Sequence, residues 1–439
     1  MPRAEVTDAG VFGLMKRYGD LCIHAVLDLN RAFSRDELEL AVSRTIGAFP
    51  VLGHRYRPGL WRDRWEPVET PLSTCVHLHR TSDVEAATER WVRRTLVPTE
   101  ERQLRVVALP TERGIRLILS VLHLAVDGAG IAAIGHVFGA HLYGLEPSLP
   151  VERRRDLPRA LDRLGWLHAP LLAKEVLRAA AQPLRHLVAA PRTRAYADRS
   201  ATEPGMRHFV VPRATLERLR ATCPPGASVN DLLLGALARA SAARSKDGPV
   251  VVTYTMDLRR FGAEPRLMAT NASTILSLVV PREATVDLPS AVGAVRELTS
   301  SHRTGLAGPA FLAAPYALGV AAPHALARRL VGVIAPVVAD LPFSRGLAVT
   351  NIGRVDDGLK AFGDDLESLR IYGPNHHRFS APLVVAFGFR GALHLHVFAS
   401  PSIGAAGALE LEAELKSALD LIPGAPLASP VETKFPREQ

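Results

Sequence analysis

The residues best suited to chemistry lie in one short segment, His123-Leu-Ala-Val-Asp127-Gly128. The histidine follows a run of Ile, Leu and Val that predicts a buried strand over Ile115–Leu122. An imidazole titrates near neutral pH, so a histidine held at a strand end can take a proton from an attacking hydroxyl or amine. We expect Asp127 to turn its side chain away, toward a basic partner, and Gly128 to permit a tight turn and close approach of a substrate. Taken alone, the pattern also fits a core histidine bonded to a backbone carbonyl.

Hydrophobic spacing and capping signals predict the elements that must position this segment. Ser34 with Glu37 predicts a capping box at the start of a helix that runs to Ala48. A second helix is predicted over 129–143. The remaining predicted elements are strands over 206–211, 250–256, 274–280 and 347–350, a hairpin of 383–389 with 392–398, and helices over 228–243, 288–302 and 409–421. Strands and helices mix without the regular alternation of one doubly wound sheet, so we expect an α/β protein with mixed sheets.

Length and charge predict the domain organisation. The chain has 439 residues, of which 47% are hydrophobic and 22% charged, as in a globular protein of two or three domains. The net charge is +9, and 151–200 holds eleven basic and five acidic residues. We interpret 151–205 as a Pro-punctuated helical linker between an N-terminal half, 1–150, and a C-terminal half, 206–439. The linker is either a solvated segment packed on one face or a docking surface for an acidic carrier protein, the phosphates of coenzyme A or an anionic lipid surface.

Several classes of protein are disfavoured. The three cysteines are widely spaced, which favours a reduced, cytoplasmic setting without disulfides. The N-terminus lacks the apolar stretch of a signal peptide. The most apolar run, 330–339, is too short to span a membrane, but it follows Arg328-Arg329, so peripheral contact with a membrane stays open. No phosphate-binding glycine motif occurs, and neither an aromatic box nor a zinc module supports nucleic-acid binding despite a pI near 9.8.

Other histidines are weaker candidates for a site. His376-His377 is a doublet without a following Asp-Gly, and we interpret it as a loop. The pairs His77/His79 and His394/His396 each share one face of a predicted strand. Two histidines alone do not complete a metal ligand set, so we expect no metal and no permanently bound cofactor.

Five segments, in order, resemble one superfamily. HLAVDG is similar to the H-H-x-x-x-D-G motif of the acyltransferases that include chloramphenicol acetyltransferase, non-ribosomal peptide condensation domains, polyketide-associated acyltransferases and wax-ester synthases. Here Leu122 replaces the first histidine, at a position expected to face the core. The other matching segments are FPVLGHR at 49–55 after the first helix, ASVNDLLL at 227–234, TMDLRR at 255–260 followed by Asn271, and VTNIGR at 349–354.

The resemblance implies both an architecture and roles for residues. It implies two chloramphenicol-acetyltransferase-like halves that form a V-shaped pseudo-dimer with a tunnel between them, His123 lying midway. His123 would be the general base, and Asp127 would be structural, paired with Arg259. Thr350, Asn351 and Gly353 would lie across the cleft, where they could bind the substrate or the oxyanion of the intermediate.

The function that follows is acyl transfer. The resemblance implies that an acyl thioester, carried by coenzyme A or by the phosphopantetheine of a carrier protein, donates its acyl group to a hydroxyl or amine acceptor, forming an ester or amide. We expect a monomer. The alternative is a non-catalytic, condensation-like module that recruits a carrier protein or another partner.

Overall fold

The structure is a computed structural model, and it describes residues 3–19, 21–164, 171–176, 203–245, 247–340, 347–373 and 382–421. His376-His377 and most of the second half of the predicted linker lie outside these residues. The helices are α1 Val6–Tyr18, α2 Arg35–Ala48, α3 Val84–Val92, α4 Gly128–Leu142, α5 Leu157–Ala160, α6 Arg213–Thr222, α7 Val229–Arg244, α8 Leu288–Thr304, α9 Ala307–Ala321, α10 His324–Asp340 and α11 Gly404–Ala418. In the described part of the chain, no helix is long and apolar enough to cross a membrane.

The strands form two large sheets and two small ones. They are β1 Cys22–Leu29, β2 His54–Arg57, β3 Arg64–Pro67, β4 Val76–Leu78, β5 Leu104–Pro110, β6 Ile115–Leu122, β7 Val151–Glu152, β8 Gly205–Val211, β9 Val250–Asp257, β10 Leu267–Met268, β11 Ser273–Val280, β12 Leu347–Arg354, β13 Leu366–Tyr372, β14 Leu383–Phe389 and β15 Ala392–Ala399. Short 3-10 helices cover Pro50–Gly53, Leu72–Thr74, Leu258–Phe261, Arg282–Thr285 and Asp356–Asp365.

The first large sheet has the strand order β13-β1-β6-β5-β4. β1 pairs antiparallel with β6 on one side and with β13 on the other. Strand β13 comes from far along the chain, so residues of the C-terminal region complete a sheet that is built mainly from the N-terminal region. Helices α2 and α4 pack on one face of this sheet, and α3 packs on the other.

The second large sheet has the order β11-β9-β12-β14-β15-β8. Its β12 is parallel to both neighbours, whereas the remaining pairs are antiparallel. Helices α6, α7, α8 and α11 cover one face and form the second core. Alternate residues of β14, Val385, Phe387 and Phe389, point from the other face into the first core. The mixed α/β fold class expected from the sequence is therefore confirmed.

Most of the elements that the sequence predicted lie near their predicted bounds. Ser34 accepts a hydrogen bond from the Glu37 amide at 3.2 Å, and the Glu37 carboxylate accepts one from the Ser34 amide at 2.7 Å. The predicted buried strand over Ile115–Leu122 is confirmed, and Leu122 lies fully buried in the first core. The strand predicted over 347–350 continues to Arg354. The V shape, the tunnel and the proposed domain boundaries stay predictions.

Helix α1 packs closely against α10 through a glycine. A Cβ added to Gly13 would lie 2.7 Å from the carbonyl oxygen of Arg328, whereas one added to Gly10 would meet only Val331 Cγ2, at 3.9 Å. The first contact is with backbone, which cannot move aside as the end of a side chain can. The glycine at 13 therefore sets the spacing of the two helices.

This contact predicts opposite effects of two identical substitutions in one helix. Gly10→Ala should raise the free energy of unfolding by up to about 1 kcal/mol, because alanine favours the helix. Gly13→Ala should lower it by about 1–3 kcal/mol, because overpacking forces the helices apart. Denaturant unfolding measures both. Equal effects of the two variants would contradict the proposed close approach.

Candidate active site

His123 lies directly after β6, in the turn that leads to α4. Its backbone amide donates to the carbonyl of Leu21 at 2.8 Å, which ties the residue to the segment just before β1. The residue is half-buried, so it does not lie in a sealed interior. Within the described structure its ring makes no hydrogen bond, and of its two nitrogens only Nδ1 is fully enclosed without a partner. The hydrogen bond to Leu21 therefore holds the backbone of His123, while the residue as a whole stays partly exposed.

The carboxylate of Asp127 forms a two-pronged ion pair with the guanidinium of Arg259. Arg259 Nη1 lies 3.1 Å from Asp127 Oδ2, and Nη2 lies 3.0 Å from Oδ1. Both side chains are buried, with 3% of Asp127 and 12% of Arg259 exposed. Arg259 lies in the 3-10 turn after β9, so the pair joins the helix that follows His123 to a distant part of the chain. The contact expected from the sequence resemblance is present.

Three further donors complete the environment of the Asp127 carboxylate. As the N-cap of α4, it accepts a hydrogen bond from the Gly130 amide at 2.9 Å. Its Oδ2 accepts a hydrogen bond from the amide of Ala272, in the loop before β11, at 2.9 Å. It accepts another from Oγ of Ser273, the first residue of β11, at 2.7 Å. With the guanidinium included, both oxygens are fully satisfied. The side chain has no free lone pair to orient an imidazole, which fits a structural role.

The charges of this pair stabilise each other. Burial alone would raise the pKa of Asp127, but the positive charge and hydrogen bonds of Arg259, with those from Ser273 and Gly130, outweigh it and hold the pKa below its ordinary value. Arg259 also donates to Asp257 Oδ1 at 2.9 Å and to the carbonyl of Thr270 at 2.7 Å. The charges and hydrogen bonds of Asp127 and then of Asp257 outweigh the effect of burial and keep the pKa of Arg259 above its ordinary value.

Two further residues hold the turn between His123 and Asp127, and sequence reasoning missed their contacts. Arg155 Nη2 donates to the carbonyl of Ala125 at 2.7 Å, and the same guanidinium forms a buried ion pair with Asp8 at 2.8 Å. Asn271 Nδ2 donates to the carbonyl of Leu124 at 3.1 Å. The sequence places Arg155 among three consecutive arginines, so no pattern separated it from its neighbours. The family resemblance marks Asn271 only by its place after TMDLRR and gives it no contact.

Strand β12 faces Gly128. A Cβ built on Gly128 would lie 3.5 Å from Thr350 Cγ2 and 3.3 Å from Ile352 Cγ1, so the absence of a side chain there lets the start of α4 and β12 approach closely. The amide of Asn351 is directed elsewhere. Its Nδ2 donates to Asn230 Oδ1 at 3.2 Å, and its Oδ1 accepts from the Gly353 amide at 2.9 Å. The substrate-binding roles expected for Thr350, Asn351 and Gly353 stay predictions.

A cavity of about 910 Å³ adjoins the ion pair. Arg259 and Ala129, which follows Gly128, line it, but His123 does not. Its inner wall is apolar and comes largely from α4 and from strands β1, β6 and β13. Its cationic residues outnumber its three carboxylates, and they are Arg159, Arg163, Arg259, Arg260, Arg266, Arg354 and Lys360. Five of the seven form ion pairs with carboxylates, and the size and apolar inner wall of the cavity suit an apolar group.

The other histidine pairs lie among aromatic rings. His77 packs beside Trp91 with ring centroids 5.0 Å apart. His396 stacks on His208 at 4.2 Å, and His394 lies on the same face of the second sheet. Burial first, and then the neighbouring histidines, lower the pKa of His396. No group of three metal-ligating side chains occurs within the residues that the structure describes.

Solved structures with this fold come from acyl-transfer and peptide-synthesis enzymes. The chain is similar to trichothecene 15-O-acetyltransferase from Fusarium sporotrichioides, with a TM-score of 0.67, 14% identity, and coverage of 95% of this chain and 94% of that one. It is also similar to the first condensation domain of the CDA synthetase, with a TM-score of 0.67, 16% identity and coverage of 98% and 97%. The polyketide synthase associated protein 5 of Mycobacterium tuberculosis matches with a TM-score of 0.61, 15% identity and coverage of 97% and 99%.

These similarities define the class by fold. A scan against protein-family models finds no match, and neither does a search of curated proteins. The chain has the fold of these acyltransferases and condensation domains. The resemblance that five short segments indicated is thus confirmed at the level of the fold, along almost the whole chain.

The buried pair predicts a pH-dependent loss of stability in one variant. Asp127→Asn should lower the free energy of unfolding by about 3 kcal/mol at neutral pH, because Arg259 loses a buried counter-charge. The folded-state pKa of Asp127 lies below its unfolded value, so the carboxylate stabilises the fold at every pH above about 4. That contribution is lost as the pH falls through the folded-state pKa. The difference between wild type and variant should therefore shrink at acidic pH.

Denaturant unfolding across pH measures this difference. Asp357→Asn is the matched control, because Asp357 also pairs with a cation, Lys360, but its side chain is 61% exposed. The control should change stability little at any pH. An Asp127→Asn variant as stable as the control at neutral pH would contradict the structural role of the pair.

Proposed function

We propose that this chain is an acyltransferase that moves an acyl group from a thioester to a hydroxyl or amine acceptor, with His123 as the general base. The single observation that carries the proposal is a half-buried imidazole at a strand end, four residues before a carboxylate that is fully committed to Arg259. The fold of acyl-transfer and condensation enzymes supports the same chemistry.

The reaction needs only groups that the site and its substrates supply. His123 Nε2 accepts the proton of the acceptor as its oxygen or nitrogen attacks the thioester carbonyl. The tetrahedral intermediate collapses, the carbon–sulfur bond breaks, and the thiolate takes the proton from the imidazolium. The products are an ester or amide and a free thiol. Because the thioester already carries the activation, the step requires neither a metal nor a redox cofactor.

The surroundings of His123 support a base that is held in position through the backbone, rather than one whose ring is oriented by a neighbouring carboxylate. Arg155 and Asn271 hold the carbonyls of Ala125 and Leu124, and Asp127 anchors the start of α4. Such positioning lowers the entropic cost of reaching the reactive geometry. Thr350, across from Gly128, is proposed to donate its hydroxyl to the developing oxyanion.

The donor is proposed to enter by the basic rim of the cavity. Arg163 and Arg260 are exposed there, while the inner wall is apolar. This arrangement suits an acyl thioester whose carrier is anionic, either coenzyme A or an acidic carrier protein. A carrier-recruiting module without catalysis is the second candidate, because the same cations would bind an acidic partner and Leu122 replaces the first histidine of the family motif.

A thiol-release assay with a panel of acyl thioesters and acceptors tests the proposal. Wild type should release thiol when an acceptor is added, and His123→Ala should lose activity by about 10²–10⁴-fold, because the proton acceptor is gone. The variant should retain the circular dichroism spectrum and melting temperature of the wild type, since His123 is half-buried.

His141→Ala is the matched control, because His141 lies at the far end of α4 and is also half-buried. It should transfer acyl groups at the wild-type rate. Wild-type turnover by His123→Ala would end the proposed mechanism. Carrier-protein binding without thiol release, by wild type and both variants alike, would favour the recruiting module instead.

A further inference from the structure

We propose that one surface of this protein binds anionic lipid membranes peripherally, through an exposed apolar patch flanked by arginines. The patch, here named the Trp61 patch, consists of Leu60, Trp61, Leu326, Leu330 and Val333. Its members come from the loop between β2 and β3 and from α10. The surface is separate from His123, so the proposal does not depend on the proposed chemistry.

The loop of the patch is rigidly attached to the helix. The first amides of α10, those of His324 and Ala325, donate to the carbonyls of Trp61 and Leu60 at 2.9 and 3.1 Å. The loop therefore caps the helix start with its own backbone. The next residue, Asp63, adds two contacts to the helix. Its buried carboxylate pairs with Arg328, and the backbone amide of Asp63 donates to His324 Nδ1 at 3.1 Å.

The side chains of the patch are unusually exposed for their type. Leu60 is 72% exposed and Trp61 63%, and on α10 the values are 46% for Leu326, 48% for Leu330 and 61% for Val333. Positions 326, 330 and 333 lie on one helical face, because they are spaced by four and three residues. The opposite side of α10 is occupied by its close contact with α1 through Gly13. Apolar residues clustered in this way mark an interaction surface.

The charges beside the patch favour a lipid surface as the partner. Arg62 and Arg329 are exposed within it, and the segments 59–62 and 322–333 contain no Asp or Glu. Tryptophan and leucine at the boundary between headgroups and acyl chains, with arginine beside them, are the combination typical of interfacial membrane binding. Each arginine near an anionic leaflet adds electrostatic attraction.

Vesicle flotation with the full chain tests the proposal. Wild type should bind vesicles that contain phosphatidylglycerol more tightly than vesicles of phosphatidylcholine alone. Trp61→Ala and Leu330→Ala should each weaken binding about tenfold, because each removes a side chain that inserts. Arg329→Gln should weaken it about fivefold, on anionic vesicles only.

Leu409→Ala is the matched control, because Leu409 is a helical leucine that is 50% exposed, on α11, far from the patch in sequence. It should bind vesicles as wild type does. Light scattering on the same variants separates lipid binding from self-association. Failure of wild type to bind anionic vesicles, or patch variants that change only the oligomeric state, would overturn the proposal. Thiol release by His123→Ala reports on catalysis alone, so the two proposals fail independently.

Discussion

The carboxylate of Asp127 is the point at which two distant parts of the chain are joined. Its oxygens receive donors from the first turn of α4 and from the segment between β9 and β11, and the strongest is the guanidinium of Arg259. In a buried setting such a charge is stable only when every partner is present, because an unpaired ion there costs several kcal/mol. The interaction therefore fixes how the second sheet approaches the turn that carries His123.

Close to this ion pair, hydrogen bonds to successive backbone carbonyls hold the turn between His123 and Asp127. Leu124 is bonded by Asn271, and Ala125 by Arg155, whose charge is balanced by Asp8 in α1. The polar side chains thus hold the backbone of the turn, and within the described structure none of them bonds to the ring of His123. This division explains how a histidine can be positioned accurately without a carboxylate beside its ring.

The sequence was informative where the signal was local. A capping pair such as Ser34 with Glu37 and a buried run such as Ile115–Leu122 determine elements through neighbouring residues alone. The partnership of Asp127 with Arg259 required the family resemblance, because 132 residues separate them. Nothing local marked Arg155 or Asp8 as buried, since burial of a charge depends on which distant segments meet. The hydrogen bond from the side chain of Asn351 to that of Asn230 also joins distant segments, so no local pattern marks it.

The place of β13 in the first sheet has a consequence for biosynthesis. Its register against β1 runs from His24 opposite Tyr372 to Leu29 opposite Leu366. Until the ribosome has made residue 372, β1 stands at the rim of an unfinished sheet with its amides and carbonyls unpaired on that side. This edge of β1 must stay unpaired without causing aggregation while the ribosome adds the more than two hundred residues between the N-terminal half, 1–150, and the end of β13. A fragment that ends at the linker would carry the same defect permanently.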